Sequence, residues 1–358
     1  MFIGVDTHKD TLAVSCVDRA GQQVAHQSFA NSSAGHAMLL SWIRCHAPEL
    51  ERVGIEGSAN FGAGAAQFLY LHGIDVREVP AKLTGRERTR LRRPGKTDPT
   101  DALAIARITA RDQDLPPARR RGPHEELKVL VDAREELVTA RTAEANRLHA
   151  DLSILRPGYA GQLRSLVHPD SVTKAGRLVK PLDGARAGVA RRRITRLRRL
   201  DHEIAEMTAE IKQALTAVGT ALTDIHGVGS ITAARIIGEV GDIRRFPSKD
   251  HFAAGNGTAP IPVASGRTDR HRLNRGGNRR LNRAIHVIAR TQAAWYPEAK
   301  TYMDKKRAEG KTRAEALRCL KRRLSDTVYR TLCEDHRSTA PHAAGQPSPA
   351  TTTTPPSR

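Results

Sequence analysis

The hydrophobic pattern of the first third of the chain alternates between short apolar runs and amphipathic stretches. Three apolar runs predict an antiparallel meander of strands: residues 2–6, 12–17 and 23–29. Beyond them the pattern predicts helices that alternate with strands: a helix over 33–46, a strand over 52–56, a helix over 60–72 and a strand over 74–79. A last helix begins at Asp98. The order βββαβαβα predicts a ribonuclease-H-like α/β layer, with the first and fourth strands adjacent at its centre.

Two long helices are predicted in the middle of the chain. Residues 124–155 carry a leucine stripe that Arg134 and Arg141 interrupt, and residues 190–218 carry a cleaner heptad seam. The two helices are expected to pair as an antiparallel coiled coil, with residues 156–183 as its tip or as a loop. Six arginines between 191 and 199 either contact nucleic acid or form a solvated face, and the pattern favours neither.

The C-terminal third is predicted to be mainly helical. Residues 225–231, Ile-His-Gly-Val-Gly-Ser-Ile, precede a helical stretch and resemble a helix-hairpin-helix motif, in which Gly227 and Gly229 would let backbone N–H groups approach a phosphate. An ordinary glycine turn is the alternative. A loop broken by Gly and Pro over 252–267 then presents Ser265, and a basic amphipathic helix follows over 311–333. Residues 338–358 are rich in Pro, Thr, Ala and Ser, so this tail is expected to be disordered.

The charge of the chain points to a polyanionic partner. The 358 residues carry a formal net charge of +21, spread over nearly the whole length, which indicates nucleic acid before membrane. Aromatic residues make up only 4%, which argues against a single-strand binder built on stacking. No apolar run is long enough to span a bilayer, and the four cysteines show no zinc spacing, so a cytoplasmic protein with free thiols is expected.

Four carboxylates are placed where they could meet. Asp6 ends the first predicted strand, Glu56 ends the fourth, and Asp98 and Asp101 lie in the first turn of the last helix. On the predicted fold they converge at one edge of the sheet, where their repulsion favours bound Mg²⁺ or Mn²⁺. Two such ions would activate in-line attack on a phosphodiester. The alternative for Asp98 and Asp101 is helix capping, and Asp6 and Glu56 could be solvated strand ends.

Clustered arginines extend the nucleic-acid hypothesis. Arginines crowd the segment before Asp98, and seven more lie between 267 and 283. The candidate phosphate contacts are Arg88, Arg90, Arg92, Arg93, Arg267, Arg270, Arg272, Arg275, Arg279 and Arg280. From the residues alone, Ser265 is better explained as a turn former or a phosphate donor than as a nucleophile.

As a set, these motifs resemble the insertion-sequence one-ten family of DEDD transposases, the bridge-RNA-guided recombinases. The matching motifs are Gly-Val-Asp6-Thr-His-Lys, Gly-Ile-Glu56, Lys-Thr-Asp98-Pro-Thr-Asp101-Ala, and Gly-Val-Gly followed by Ala-Pro-Ile-Pro-Val-Ala-Ser265-Gly. The resemblance implies a RuvC-like domain whose metal ligands are the four acids, a coiled coil, and a C-terminal domain in which Ser265 is the catalytic nucleophile. It also implies donor and target double-stranded DNA, a structured guide RNA and a homo-oligomer, dimer or tetramer, whose active site is shared between subunits. Asp6 is followed by Thr-His, where Val-Ser is common in the family.

The sequence therefore predicts a metal-dependent DNA transposase or recombinase in four parts. These are a nuclease domain over 1–115, coiled-coil helices over 116–220, a transposase domain over 221–335 and a tail over 336–358. Two alternatives remain. One is a RuvC-like junction endonuclease with water as the nucleophile. The other is a non-catalytic helix-hairpin-helix DNA-binding protein.

Overall fold

The computed structural model describes residues 1–90, 98–119, 121–163, 165–265, 268–272, 274 and 276–339, and for residues 88–90, 262–265, 268–272 and 339 it describes the backbone alone. Of the predicted tail, residues 340–358 lie outside the described residues, whereas its first residues, up to 339, are helical. No helix in the described ranges combines the length and the apolar character needed to cross a membrane.

The N-terminal part is a five-stranded sheet with helices on both faces. Its strands are β1 (Phe2–Thr7), β2 (Thr11–Val17), β3 (Gln23–Ala30), β4 (Arg52–Ile55) and β5 (Val76–Glu78). Its helices are α1 (Ser33–His46), α2 (Ala63–Leu71), α3 (Ala81–Arg90) and α4 (Asp98–Arg111). The strand order is β3-β2-β1-β4-β5, and β1 runs antiparallel to β2 and parallel to β4. The predicted ribonuclease-H-like order, with the first and fourth strands side by side, is confirmed.

Successive side chains of β1 lie on opposite faces of the sheet and contribute to two different hydrophobic cores. Ile3 and Val5 are fully buried with residues of α1 and α2, such as Leu39. Phe2 packs with Ala106 of α4 on the opposite face. Because successive side chains of a strand point to opposite faces, Asp6 shares the α4 face with Phe2.

Helix α3 corrects the prediction of an arginine-rich loop after β5. The segment after Pro80 is helical over Ala81–Arg90, and it packs against α4. Glu87 is largely buried and pairs with Arg111 of α4 at 2.9 Å. Arg, Lys and Glu are good helix formers, so tertiary packing on one face is sufficient to hold this charged segment in a helix.

The two long helices are α5 (Pro123–Leu155) and α7 (Ala185–Val218), and they run antiparallel. The direction follows from their cross-links: Arg134 of α5 bonds to Thr208, whereas Asp151, farther along α5, pairs with Arg193, earlier in α7. Antiparallel pairing was predicted, and the supercoil of a coiled coil stays a prediction.

The segment between the long helices is not only a loop. Helix α6 (Pro169–Val179) packs on α7 and buries Val172, Ala175 and Val179 in a small separate core. Proline at the first helical position and apolar residues three and four apart are ordinary helix signals, so of the two alternatives for 156–183, a tip or a loop, these eleven residues contradict the loop.

The C-terminal part is mainly helical, as predicted. Its helices are α8 (Ser230–Val240), α9 (Lys249–Gly255), α10 (Arg279–Trp295), α11 (Pro297–Ala308) and α12 (Arg313–Thr339). They share one core with the ends of α5 and α7 that lie nearest to them in space, including Leu127 and Ile211. A short 3₁₀ helix, Ala221–Asp224, precedes the glycine turn, so the helix-hairpin-helix motif stays a prediction.

A two-stranded ribbon replaces the predicted loop around Ser265. Strands β6 (Ile261–Ser265) and β7 (Thr268–Arg272) pair with each other, separately from the large sheet. Pro262 lies within β6, opposite His271. Both strands of an isolated ribbon are edges, where a residue without an N–H is tolerated, so the proline did not exclude a strand.

Candidate metal centre

Asp6 is a buried carboxylate without a complete set of partners. It lies near the end of β1, is 8% exposed, and faces α4. Its Oδ2 atom has no hydrogen-bond partner. Burial raises the pKa of Asp6; His8 lowers it, and the charges of Asp101, Glu56 and Asp98 raise it again. The four predicted acids therefore lie close enough to interact at one edge of the sheet.

The register of the sheet places Glu56 beside Asp6. Val5 of β1 lies opposite Ile55 of β4, so the next residues of both strands emerge at the same edge. The Glu56 N–H donates to the Val5 carbonyl at 3.2 Å, and the Thr7 hydroxyl donates to the Glu56 carbonyl at 2.8 Å. These bonds fix the backbone from which the Glu56 carboxylate projects.

A close approach of helix to strand brings the other two acids to this edge. A Cβ added to Gly4 would lie 2.2 Å from the Ala106 nitrogen and 2.3 Å from the Ala102 oxygen, so α4 rests directly on β1. Asp98 and Asp101 occupy the turn of α4 that precedes this contact. Asp101 is 4% exposed, whereas the Asp98 side chain is 54% exposed.

His8 joins the acids at this site, and it was not predicted. Its Nε2 atom lies 3.3 Å from Asp6 Oδ2 and 3.2 Å from Asp98 Oδ1, distances that bring one ligand atom from each residue within 4.8 Å of the other two. The sequence does carry a signal for His8, because residues two apart on an extended chain project on the same side, and the Asp6-Thr7-His8 spacing satisfies this rule.

The donor set fits a divalent cation. Crowded carboxylates favour a bound cation over mutual repulsion, and the unpartnered Asp6 Oδ2 is an available ligand atom. Carboxylate oxygens suit Mg²⁺ and Mn²⁺, and an imidazole nitrogen is a more usual ligand of transition metals than of Mg²⁺.

Ser265 lies on a different sheet from the acids. Its backbone ends β6, opposite Thr268, and its side chain is not described. The other predicted phosphate contacts are described unevenly. Arg88 and Arg90 lie in α3 and Arg270 and Arg272 in β7, with the backbone alone described. Arg92, Arg93, Arg267 and Arg275 lie outside the described residues.

The remaining candidates differ in what they contact. Arg280 pairs with Asp132 of α5 at 2.7 Å, whereas Arg279 begins α10 at the rim of a cavity. Gly227 has a φ of +83°, which favours glycine, and a Cβ there would press on Thr291 at 3.2 Å. Gly229 precedes α8 and has open space around it.

Two protein-family models match the chain. A model described as a transposase matches residues 3–157, and a model described as the transposase IS116/IS110/IS902 family matches residues 219–304.

Similar proteins cover nearly the whole chain. The uncharacterized 42 kDa protein of insertion element IS900 from Mycobacterium paratuberculosis is 27% identical, covering 94% of this chain and 96% of that protein. The transposase for insertion sequence element IS1328 from Yersinia enterocolitica is 25% identical, covering 81% and 83%. Among solved structures, RuvC from Thermus thermophilus matches at 15% identity with a TM-score of 0.25, covering 31% of this chain and 96% of that one.

Proposed function

The chain belongs to the IS116/IS110/IS902 family of transposases, and from this premise we propose that it cleaves and rejoins DNA at a divalent-metal centre formed by Asp6, Glu56, Asp98 and Asp101. The observation that carries the proposal is the approach of Glu56, Asp98 and Asp101 to Asp6 at one edge of the sheet, where Asp6 Oδ2 accepts no hydrogen bond. Family membership sets aside the non-catalytic alternative.

The proposed metal ligands come from two neighbouring strands and one helix. Asp6 and Glu56 project from neighbouring strands of a rigid sheet, and Asp98 and Asp101 approach them from α4. A bound Mg²⁺ or Mn²⁺ would polarise the scissile phosphate and lower the pKa of an attacking hydroxyl. The imidazole of His8 would complete the ligand set at its exposed side, and its presence favours Mn²⁺ as a tight-binding substitute for Mg²⁺.

Ser265 is the proposed nucleophile. Its hydroxyl would attack the phosphorus, a P–O bond to the leaving strand would break, and the protein would hold the strand end as a phosphoserine ester. The proposal is supported by the family motif and by the location of the serine at the end of a strand, because a rigid element holds a reacting group more precisely than a loop. The alternative, a junction endonuclease, would use water at the same acids.

The proposed partners follow from charge and from the resemblance. The net charge of +21 suits donor and target DNA together with a structured guide RNA. Ser265 ends a strand of the small ribbon, whereas Asp6 and Glu56 lie at the edge of the large sheet. From the resemblance we propose a homo-oligomer in which one subunit's serine completes another subunit's acids. The proposed units are a RuvC-like domain over 1–115, long helices over 116–220, a transposase domain over 221–335 and a tail over 336–358.

The metal assignment is tested by neutralising single acids. Asp6→Asn and Asp101→Asn should each abolish metal-dependent strand cleavage. Asp6→Asn should do so without lowering the thermal midpoint, because it removes a buried charge that burial and the neighbouring carboxylates disfavour. The matched control is Asp10→Asn, an exposed acid of the loop between β1 and β2, which should cleave normally. Normal cleavage by Asp6→Asn would refute the assignment, and unfolding of Asp98→Asn would identify helix capping as the main role of that residue.

The shared site is tested by mixing two inactive variants. Ser265→Ala protein and Glu56→Gln protein, each inactive alone, should together recover part of the wild-type activity, with covalent adduct only on the chain that retains Ser265. Failure to recover in demonstrated hetero-oligomers would assign both halves to one subunit. Adduct formed by Ser265→Ala alone would remove the serine from the mechanism, and cleavage without any adduct would favour the junction endonuclease.

A further inference from the structure

A basic cavity of about 620 Å³ lies between α10 and α12. Its charged walls are Arg279 and Arg283 from α10 and Arg318 and Lys321 from α12. No carboxylate is among the described residues that line it. This concentration of positive charge in a concave site requires an explanation, because like charges held together destabilise the fold.

Lys321 is the least compensated of these residues. Its ammonium donates to Asn282 Oδ1 at 2.7 Å, and in the described ranges no carboxylate lies within ion-pair distance of it. Burial lowers the pKa of Lys321, which is the expected response of a cation that lacks a counter-charge. A structural role would be served better by an acidic partner, or by an apolar side chain of similar length.

The arginines of the cavity are only weakly committed to protein partners. Arg318 reaches Glu315, one turn away, at 3.6 Å, and Arg283 reaches Glu135 at 3.0 Å with its own side chain 76% exposed. Exposed pairs of this kind contribute at most about 1 kcal/mol. In contrast, Arg235, in the core beside this cavity, is 14% exposed and is held by Asp132 and Glu135. Arg235 therefore stabilises the fold, whereas Arg283 and Arg318 remain available to bind an anion.

The shape of the cavity indicates what kind of anion it would hold. Ala314 and Leu317 form an apolar wall beside the cations, a combination that suits a sugar attached to a phosphate. Asn274 and Gly276, at the opposite side, directly follow the β6–β7 ribbon. The Gly276 carbonyl would lie 2.7 Å from a Cβ at Gly257, so this side of the cavity is packed tightly against the segment that leads into β6.

We propose that this cavity binds a backbone phosphate of a nucleic-acid strand and thereby anchors the strand at the base of the ribbon that carries Ser265. The proposal rests on the proposed function only in that the substrate is a nucleic acid. It requires neither the metal assignment nor a nucleophilic serine.

The test measures binding without catalysis. Arg279→Gln and Lys321→Met are compared with the parent by fluorescence anisotropy in EDTA, with labelled duplex DNA, single-stranded DNA and an RNA hairpin as separate probes. Each variant should weaken binding of the true ligand about tenfold or more, because a charged hydrogen bond is lost. The slope of log affinity against log salt should become shallower by about 0.9 for duplex DNA or about 0.7 for a single strand. The probe that loses affinity identifies the strand that occupies the cavity.

The control removes one positive charge from α12, the helix that carries Lys321, at a position outside the cavity. Arg330→Gln, at an exposed position of α12, should change affinity less than about twofold on every probe, since it removes only long-range attraction. The thermal midpoint of Lys321→Met should be unchanged or higher, because the variant removes a half-buried cation that has no acidic partner in the described ranges.

Two results would overturn the proposal. One is equal affinity and equal salt slope for the parent and both cavity variants on all three probes. The other is an equal loss in Arg330→Gln, which would reduce the effect to net charge. Because EDTA removes metal-dependent chemistry, a failure of the proposed catalytic function would appear as lost cleavage with these binding differences intact.

Discussion

Replacing Gly4 by alanine should separate the two elements that carry the acids. The new Cβ would lie 2.2 Å from the Ala106 nitrogen, 2.3 Å from the Ala102 oxygen and 2.7 Å from the Ala106 Cα. All three atoms belong to the backbone of α4, so no change of rotamer can relieve the clash. Ordinary contact at 3.4 Å requires α4 to move away from β1 by about 1 Å.

The cost follows from this displacement. Overpacking a tight core contributes about 1–3 kcal/mol of destabilisation, and a clash with backbone alone belongs at the upper end. Asp98 and Asp101 move with α4 while Asp6 stays on β1, so the proposed metal ligands lose their relative geometry. A misplacement of about 1 Å in a catalytic group lowers the rate about 10²-fold. Gly4→Ala should therefore lose more activity than its loss of folded protein explains.

The assay follows the N-terminal part by itself. Trp42 is 8% exposed in the sheet core, whereas Trp295 is 75% exposed, so in a Trp295→Phe background the fluorescence reports the unfolding of the N-terminal part. With a slope of about 2–3 kcal/mol per molar urea, the midpoint should fall by about 1 M. The control Gly188→Ala, in α7, meets nothing closer than 4.0 Å and should stabilise its helix by about 0.5–1 kcal/mol. A Trp42 transition of Gly4→Ala that coincides with the parent's would refute the close-packing argument.

Three further changes test other parts of the fold. Burial raises the pKa of Glu239, but hydrogen bonds from Asn278 and Lys128 bring it below its usual 4.5. The charge of Glu239 therefore stabilises the fold above about pH 4.5, and this contribution is lost as the pH falls further. Glu239→Gln should flatten the dependence of the unfolding free energy on pH in that range. It should also lower the unfolding free energy by about 3 kcal/mol at neutral pH, measured by urea titration. Asn256 is fully buried and donates to Ser325 at 2.8 Å, so Asn256→Ala should cost about 2–3 kcal/mol by thermal melting. Leu148→Ala, in the core around α6, should speed proteolysis within residues 156–183 and leave the Trp42 transition unchanged.

The sheet could be predicted because its strands carry local signals that agree with one another. The continuous apolar runs of β1 and β2 are visible in the sequence, and short connections restrict the topologies that remain. The predictions failed for segments in which tertiary packing overrides the preference that the residue composition indicates. The arginines of α3 resemble a loop until Glu87 pairs with α4, and Pro262 argues against a strand until the strand is seen to be an edge.

The candidate site, like the fold, could be predicted from the sequence only in part. The positions of Asp6, one residue before the end of β1, and of Glu56, directly after β4, could be predicted because strand ends are determined by a local pattern. Asp101 could be named as a candidate, but its 4% exposure could not be predicted, because that depends on the absence of a side chain at Gly4. His8 was missed because its contact with Asp98 joins residues that are ninety positions apart in the chain.

Asp6 and Lys321 differ from Glu239 and Asp132 in that no oppositely charged side chain forms a hydrogen bond with them in the described ranges. Glu239 and Asp132 are buried or half-buried with cations bonded to them, and the fold uses them to join α5, α8 and α10. Asp6 Oδ2 accepts no hydrogen bond and has only the partly exposed imidazole of His8 near it, at 3.3 Å, and Lys321 is bonded only to a neutral amide. A group selected for stability alone would have acquired a partner or lost its charge, since an uncompensated buried charge costs several kcal/mol. This shared feature supports the two proposed ligands, a cation at the edge of the sheet and a phosphate between α10 and α12. Neutralising either group should weaken ligand binding without destabilising the protein, whereas neutralising Glu239 should destabilise the protein.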